Sequence, residues 1–209
     1  GIKATKFTVR KTGVAASDHG HRHLPAITEL VERSELSDGA KLTANRLFRR
    51  LAETEARIHQ TTVDRVHLHE VGALDSIVDI VGGVFGLEWF GADRIVASPL
   101  NVGSGTVNCE HGTLPIPAPA TAELVVGVPV YAGPVSGEAL TPTGALLVTE
   151  FATSYGALPE MRISTIGYGA GSRDPEGHPN VLRVVVGEET DVGEVEQVVV
   201  VECEIDDMN

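Results

Sequence analysis

The chain has 209 residues, of which 42% are hydrophobic and only 4% aromatic, so it can bury a core built from Val, Leu, Ile and Ala. Its formal net charge is −13, from 16 basic and 29 acidic side chains, and such a surface repels nucleic-acid phosphates and anionic lipid headgroups. Two cysteines, Cys109 and Cys203, are too few and too far apart for a disulfide framework or a zinc ribbon. These features argue against nucleic-acid and membrane partners and predict a cytoplasmic protein.

The first part of the chain has the pattern of a helix-rich lobe. Alternating apolar residues predict an edge strand, a polar loop with several histidines follows, and apolar residues at three- and four-residue spacing predict helices. The predicted elements are strand 2–11, loop 11–23, helices 25–33 and 39–59, an extended piece at 65–69 and helix 75–90. Asp75 or Ser76 is predicted to cap the last helix and Gly91 to end it.

The second part reads as short strands separated by Gly- and Pro-rich loops. The predicted elements are strands 94–97, 101–109 and 113–116, helix 117–127, strand 128–131, helix 141–154, and strands 162–168, 181–186 and 197–204. Thr141 is predicted to cap the last helix, with Pro142 in its first turn. The fold class is therefore α+β, or mixed α/β, with a helix-rich first lobe followed by a mixed-sheet lobe and a boundary near residue 92.

The densest group of polar residues is His67-Leu68-His69-Glu70, followed by Asp75 and Asp79. Residues two apart in an extended segment share a face, so His67 and His69 can reach one ion, and the two aspartates, four apart, share a helical face. Imidazole and carboxylate ligands suit nickel, zinc or cobalt. The alternative is structural: Asp75 caps a helix, Asp79 is solvated and the histidines bind backbone atoms.

A second group, Asp18-His19-Gly20-His21-Arg22-His23, places three imidazoles within five residues of the predicted loop. Such a tract can collect metal ions weakly and exchange them. Solvated loop histidines are the alternative interpretation.

Two segments have the pattern of an anion-binding site. Thr141-Pro142-Thr143-Gly144 opens a helix, where unpaired N–H groups and two hydroxyls can bind a phosphate or carboxylate. Gly167-Tyr168-Gly169-Ala170-Gly171 is predicted to be a glycine-rich turn that presents backbone N–H groups. An ordinary cap and an ordinary turn are the alternatives, since neither standard nucleotide fingerprint occurs in the chain.

Taken together, four strings resemble the LarC family, in this order: 67–79 (HLHEVGALDSIVD), 111–121 (HGTLPIPAPAT), 141–145 (TPTGA) and 167–171 (GYGAG). That family makes the nickel-pincer nucleotide cofactor used by lactate racemase. The resemblance implies insertion of Ni²⁺ into pyridinium-3,5-bisthiocarboxylic acid mononucleotide, with nickel–sulfur and nickel–carbon bonds formed and CTP consumed. It implies a cyclometallase-type lyase.

Such a reaction needs a reversible nickel site, a pocket for the pyridinium and its phosphate, and a base for the ring proton. For the nickel site we predict His67, His69, Glu70, His21 and His23. For the substrate pocket we predict Thr141, Thr143, Gly144, Gly169 and Gly171. For the base the candidates are Glu70, Asp75 and His111.

The resemblance covers nearly the whole chain, whereas the chain lacks parts of the family. The opening Asp-Cys-x-Ser-Gly-type segment is absent, and a CTP-binding C-terminal domain would begin within 198–209. We therefore expect a nickel- and substrate-binding domain over 1–197, with sub-lobes of about 1–92 and 93–197. The chain alone is expected to bind nickel but not CTP, which needs the missing domain and a divalent metal.

The expected partners are the precursor mononucleotide, the sulfur-insertion enzyme of the pathway, lactate racemase and further copies of the chain. Two other functions stay open from the residues alone. One is a nickel store or chaperone whose histidine loop delivers ions without chemistry in this domain. The other is a metal-dependent hydrolase in which His67, His69 and the carboxylates activate water.

Overall fold

The computed structural model describes residues 3–10, 23–66, 68, 74–109, 112–134, 136–173, 178–189 and 197–204. Helices and mixed sheets occur together, which confirms the predicted α+β class. The chain divides into two compact units, Thr8–Trp89 and Gly1–Phe7 with Phe90–Asn209. Of the helices in the described ranges, none combines the length and the apolar character needed to cross a membrane.

Three helices form the first unit: α1 (Leu24–Glu32), α2 (Asp38–Ile58) and α3 (Leu74–Phe90). Ser37 caps α2, since its hydroxyl accepts a hydrogen bond of 3.0 Å from the backbone N–H of Ala40. The apolar residues Leu47, Phe48 and Leu51 of α2 are fully buried. Ile27 of α1 and Ile80 of α3 are fully buried as well. The three predicted helices are therefore confirmed.

The predicted start of α3 is wrong by one residue. The helix begins at Leu74, so Asp75 and Ser76 lie inside its first turn instead of capping it. An acidic residue in the first turn still favours the helix, because it faces the positive end of the helix dipole. The predicted end is confirmed, since Gly91 has a φ of +58° and follows directly after Phe90.

A mixed five-stranded sheet forms the core of the second unit. Its strands are β1 (Arg94–Ala97), β8 (Ser154–Tyr155), β9 (Met161–Ala170), β10 (Val181–Glu189) and β11 (Gln197–Glu204), in the order β8-β1-β11-β10-β9. β1 runs parallel to β8 and β11, whereas β10 is antiparallel to β9 and β11. Residues 198–204, which the sequence analysis gives to the start of a further domain, thus lie in the central strand.

Short strand pairs and two helices complete this unit. The pairs are β2 (Leu100–Asn101) with β6 (Val130–Tyr131), β3 (Gly103–Ser104) with β7 (Gly137–Glu138), and β4 (Thr106–Cys109) with β5 (Gly112–Pro115). The helices are α4 (Pro119–Leu124) and α5 (Pro142–Phe151). The predicted strand 101–109 is therefore divided into three, because Gly103 and Gly105 take positive φ angles that a continuous strand does not have.

The predicted N-terminal strand 2–11 is not formed over the described residues 3–10. Only Thr5 makes a β-bridge there, parallel to Gly169, with hydrogen bonds of 2.9 Å from Thr5 N to Tyr168 O and from Ala170 N to Thr5 O. Phe7 is 72% exposed, so the alternating apolar residues of this segment do not form a buried face. The predicted edge strand is therefore wrong over these residues, since a single bridge to β9 stands where a ladder was predicted.

Asn101 organises the loops beside the sheet. Its side-chain oxygen is buried and accepts hydrogen bonds of 2.9 Å from the backbone N–H groups of Gly103 and Gly133. A side chain on Gly133 would collide with the amide of Asn101, so the close approach of these two segments requires glycine at this position.

We expect Gly133→Ala to lower the free energy of unfolding by about 1 to 3 kcal/mol, because the added methyl group displaces a buried hydrogen-bonded amide. Gly156→Ala is the matched control, since its methyl group would meet no atom within 4 Å, and it should change stability by less than about 0.5 kcal/mol. Urea unfolding of both variants measures the difference. Equal stabilities would contradict the role given to Asn101.

Candidate functional site

The described residues contain part of the predicted site. His23, Asp75, Thr141, Thr143, Gly144, Gly169 and Gly171 are described, whereas His21, His67, His69, Glu70 and His111 lie outside the described residues. Within the described ranges, no group of three or more His, Cys, Asp or Glu side chains is placed to hold a metal ion. The predicted nickel ligands therefore stay a prediction.

The segment that carries the His-x-His-Glu motif is fixed at the described residues around it. Val66 and Leu68 are 2% and 0% exposed, and the N–H of Val66 donates a hydrogen bond of 3.0 Å to the carbonyl of Thr62. Burial of these two apolar side chains fixes the positions of Val66 and Leu68 themselves.

His23 lies at the start of α1, directly before Leu24. Its extended backbone is that of an N-cap residue, and its carbonyl accepts hydrogen bonds from the N–H groups of Ala26 and Ile27 at 3.0 and 3.3 Å. The side chain makes no capping hydrogen bond and is exposed. Of the predicted loop ligands, His23 is thus held at a helix end with an exposed side chain.

Asp75 and Asp79 lie one turn apart on α3, as the sequence predicts, but their surroundings differ. Asp75 is exposed and Asp79 is half-buried. Burial, reinforced by the negative charge of Asp75, raises the pKa of Asp79 from 3.8 to about 6. A carboxyl group with this pKa exchanges a proton near neutral pH, which an exposed aspartate does not.

The raised pKa of Asp79 was not predicted from the sequence, which indicated either a solvated carboxylate or a metal ligand at this position. The only signal available there is its place between Ile77 and Ile80, both of which are buried. Perturbed carboxylates cluster at functional sites, so Asp79 joins the candidates for proton transfer.

The raised pKa of Asp79 makes stability depend on pH in a defined direction. Between its unfolded pKa of 3.8 and its folded pKa of about 6, the folded state binds the extra proton, so stability falls as pH rises through this window. After allowance for solvent screening of a half-exposed group, the loss is about 1 kcal/mol. Urea unfolding from pH 4 to 7 should show this loss for the wild-type protein but not for Asp79→Asn.

Asp64→Asn is the control for this measurement, because Asp64 is an exposed carboxylate in the turn after α2. It should keep the wild-type slope of stability against pH. A slope that Asp79→Asn leaves unchanged would assign the pH dependence to another group.

The predicted cap at the start of α5 is confirmed. The Thr141 hydroxyl accepts a hydrogen bond of 3.2 Å from the backbone N–H of Gly144, and Pro142 lies in the first turn. Because Pro142 has no N–H and that of Gly144 already binds the cap, the Thr143 N–H is the one amide of the first turn that the cap leaves unused. An anion at this helix start would thus meet fewer amides than the sequence suggests.

The packing around α5 buries Thr143, which is 7% exposed, together with Thr121 of α4, which is fully buried. The Thr121 hydroxyl donates to the carbonyl of Leu140 at 3.4 Å, so α4 is tied to the residue that precedes the cap. This fixes the direction in which α5 begins.

The predicted glycine-rich turn at 167–171 is wrong. Residues 161–170 form strand β9, in which Gly169 pairs with Leu182 of β10. The N–H of Ala170 donates to Thr5 O at 2.9 Å and that of Gly171 donates to Asn180 O at 3.3 Å. Both amides are therefore hydrogen-bonded to backbone carbonyls. Pairing with β10 and with Thr5 continues the strand through the glycines.

Arg173 is a cationic residue that contacts β7, in the segment that leads to α5. Its guanidinium donates to the carbonyl of Glu138 at 3.2 Å, three residues before Thr141. The buried Asn180 holds the Arg173 backbone, since its side-chain amide donates to the Arg173 carbonyl at 3.1 Å. This contact cannot be read from the sequence, because Arg173 and Glu138 are 35 positions apart in the chain.

A family model described as nickel insertion protein matches residues 1–209. The chain is 45% identical over 223 residues to the pyridinium-3,5-bisthiocarboxylic acid mononucleotide nickel insertion protein of Geobacillus kaustophilus, with 100% of this chain and 54% of that protein covered. It is 48% identical over 209 residues to the protein of the same name from Nocardioides sp., with 100% and 52% covered. The chain thus spans about half the length of these relatives, and no solved structure matches it.

Proposed function

Because the chain belongs to the nickel insertion protein family, we propose that it binds Ni²⁺ and the mononucleotide in an enzyme that inserts nickel into pyridinium-3,5-bisthiocarboxylic acid mononucleotide. The observation that carries this proposal is the family match over all 209 residues, joined by relatives that bear the name of that reaction. The product would be the nickel-pincer cofactor of lactate racemase, made by a cyclometallase-type lyase in the cytoplasm. CTP and a divalent metal would bind in the part of the full-length protein that this chain does not cover.

Nickel is a substrate of this reaction, so its site must release the ion. His67, His69 and Glu70, with His21 and His23, supply imidazole and carboxylate ligands, which hold Ni²⁺ less tightly than a set of thiolates. Val66 and Leu68, the described residues on either side of His67 in the sequence, are buried.

Formation of the nickel–carbon bond releases a ring proton, which a base must accept. Glu70, Asp75 and His111 are the candidates from the sequence, and Asp79 adds a carboxyl group whose pKa lies near 6. In its ionised form Asp79 can take the proton, and near neutral pH it can pass it to water.

The phosphate of the mononucleotide needs positive charge and hydrogen-bond donors. We assign it to the start of α5, with Thr141, Thr143 and Gly144, and to the guanidinium of Arg173, which donates to the carbonyl of Glu138 three residues before the cap. Gly169 stays a candidate for close approach of the pyridinium ring, because it offers no side chain on an exposed part of β9. Gly171 stays one as well, although its own amide is bonded to Asn180.

We expect the His67→Ala/His69→Ala variant to bind Ni²⁺ at least about tenfold more weakly than the wild-type chain, because two imidazole ligands are lost. Calorimetric titration of Ni²⁺ into both chains measures this. His59→Ala is the control, since His59 lies at the end of α2 with its Nε2 3.4 Å from a carboxylate oxygen of Glu55. Equal binding by the double variant would place the ion elsewhere.

The substrate site is tested in the full-length protein with Ni²⁺, CTP, Mg²⁺ and the precursor. Thr143→Val keeps the buried volume but removes the hydroxyl, and Arg173→Gln removes the charge. Each should raise the KM for the precursor about tenfold with a smaller change in kcat, since both bind a group that does not react. Arg162→Gln, in an exposed part of β9, should leave KM unchanged.

The same experiment separates an enzyme from a nickel store or chaperone. A chaperone that delivers ions without binding the mononucleotide would transfer nickel equally well after both substitutions. Unchanged kinetics in Thr143→Val and Arg173→Gln would therefore contradict the assignment of the phosphate to α5.

A further inference from the structure

Helix α3 is apolar on two sides, although only one of them faces the core. Ile77, Ile80 and Val84 are buried, at 6%, 0% and 1% exposure, and they form the inner face. On another face, Phe85 is 56% and Trp89 is 74% exposed, and Gly82 is exposed too. A helix with apolar residues around most of its circumference is usually covered on more than one side.

The outer residues follow the spacing of a helix-packing seam. Asp75, Val78, Gly82, Phe85 and Trp89 are separated by three, four, three and four residues, which is the a/d repeat of helices that pack side by side. From Ile80 to Leu87 the helix carries no charge, in a chain whose net charge is −13. This seam is thus the kind of surface that a second helix covers.

The seam carries both knobs and a hole for them. Phe85 projects a large ring, whereas a methyl group added at Gly82 would meet no atom within 4 Å, so there is open space above that glycine. In an antiparallel pair of identical helices related by a two-fold axis midway between these residues, Phe85 of each copy faces Gly82 of the other. Trp89 then faces Val78, so each aromatic ring packs against a smaller residue.

Charge selects the same arrangement. A parallel pair would place Asp75 against Asp75, which brings like charges together. It would also place the two large Phe85 rings opposite each other, where they fit poorly. The antiparallel pair places the two Asp75 residues at opposite ends of the contact, about 25 Å apart along the helix axis at 1.5 Å per residue. A two-fold interface must be complementary to itself, and this seam is.

We propose that the α3 seam (Val78, Gly82, Phe85 and Trp89) is the contact surface of an antiparallel homodimer of this chain. Four exposed aromatic rings, two from each copy, provide most of the apolar area, and a single-helix contact of this size lies at the small end of protein interfaces. The dimer is therefore weak and depends on protein concentration. The proposal is independent of the nickel and mononucleotide assignments.

Sedimentation velocity and tryptophan emission over a concentration series test the dimer. Trp89 is the only tryptophan of the chain, so its emission should shift to the blue as the sedimentation coefficient rises from monomer to dimer. A chain that stays monomeric at all concentrations would overturn the proposal. So would a blue-shifted emission in the monomer, which would mean that another part of the chain covers the seam.

Variants identify the surface. Gly82→Leu places a side chain in the hole, where its Cβ meets no atom within 4 Å, and leucine favours the helix. It should therefore weaken the dimer at least about tenfold while circular dichroism stays unchanged. Leu42→Ser is the control, since Leu42 is 71% exposed on α2, away from the seam. A dimer that survives Gly82→Leu, or that Leu42→Ser abolishes, would place the interface elsewhere.

A charge exchange tests the direction of the helices. Val78→Arg and Trp89→Glu should each weaken the dimer, because each places one charge in an apolar contact. The double variant should regain most of the lost affinity, since the antiparallel pair brings the introduced guanidinium of each copy against the introduced carboxylate of the other. No recovery in the double variant would overturn the antiparallel arrangement.

Discussion

Burial of β11 on both faces is the constraint on which the second unit depends. Val198, Val199 and Val200 are all 0% exposed, and the strand pairs parallel with β1 on one side and antiparallel with β10 on the other. A strand in this position has its backbone N–H and C=O groups hydrogen-bonded to the strands on both sides. The side chains on both of its faces are buried in the core. β1 and β10 are each paired to opposite edges of β11, so the sheet exists only with this strand between them.

The elements around β11 inherit their positions from it. β10 pairs with β9. At the end of β9, the N–H groups of Ala170 and Gly171 donate to the carbonyls of Thr5 and Asn180. At the other end of β10, Arg94 of β1 holds both carboxylate oxygens of Glu189 at 2.7 and 2.9 Å. The candidate phosphate site lies after these strands in the same unit, because Arg173 follows β9 and α5 leads into β8, the partner of β1.

In the helical unit the corresponding constraint is that α3 has more apolar surface than one core can bury. Its inner face meets the core, and on the same helix Asp79 is half-buried, so that loss of hydration opposes its charge. The same helix therefore links the packing of the unit to the chemistry of a carboxylate that can exchange a proton near neutral pH. The cost of burying that carboxylate is a loss of stability at neutral pH, which is typical of residues kept for function.

The sequence by itself predicted the α+β class, the helices, the cap at Thr141 and the end of α3 at Gly91, because these depend on neighbours within a few residues in the chain. It also predicted the family, through four short strings that resemble it, and the family model matches residues 1–209. It failed at the start of α3 and at residues 167–171, where glycines that are typical of a turn lie in β9. There, pairing with β10 and Thr5 outweighs local preference, and no pattern within the segment reveals its partners.

The tertiary structure alone decided which candidate residues come together and what their surroundings do. The pKa of Asp79 depends on burial by residues outside its own turn, and Arg173 reaches Glu138 only because the segments after β9 and around β7 meet in the folded chain. The sequence thus determined which residue types are present and, apart from the exact start of α3, where the helices lie, since those are local properties. The fold determined distances and burial, because these depend on contacts between residues that are far apart in the chain.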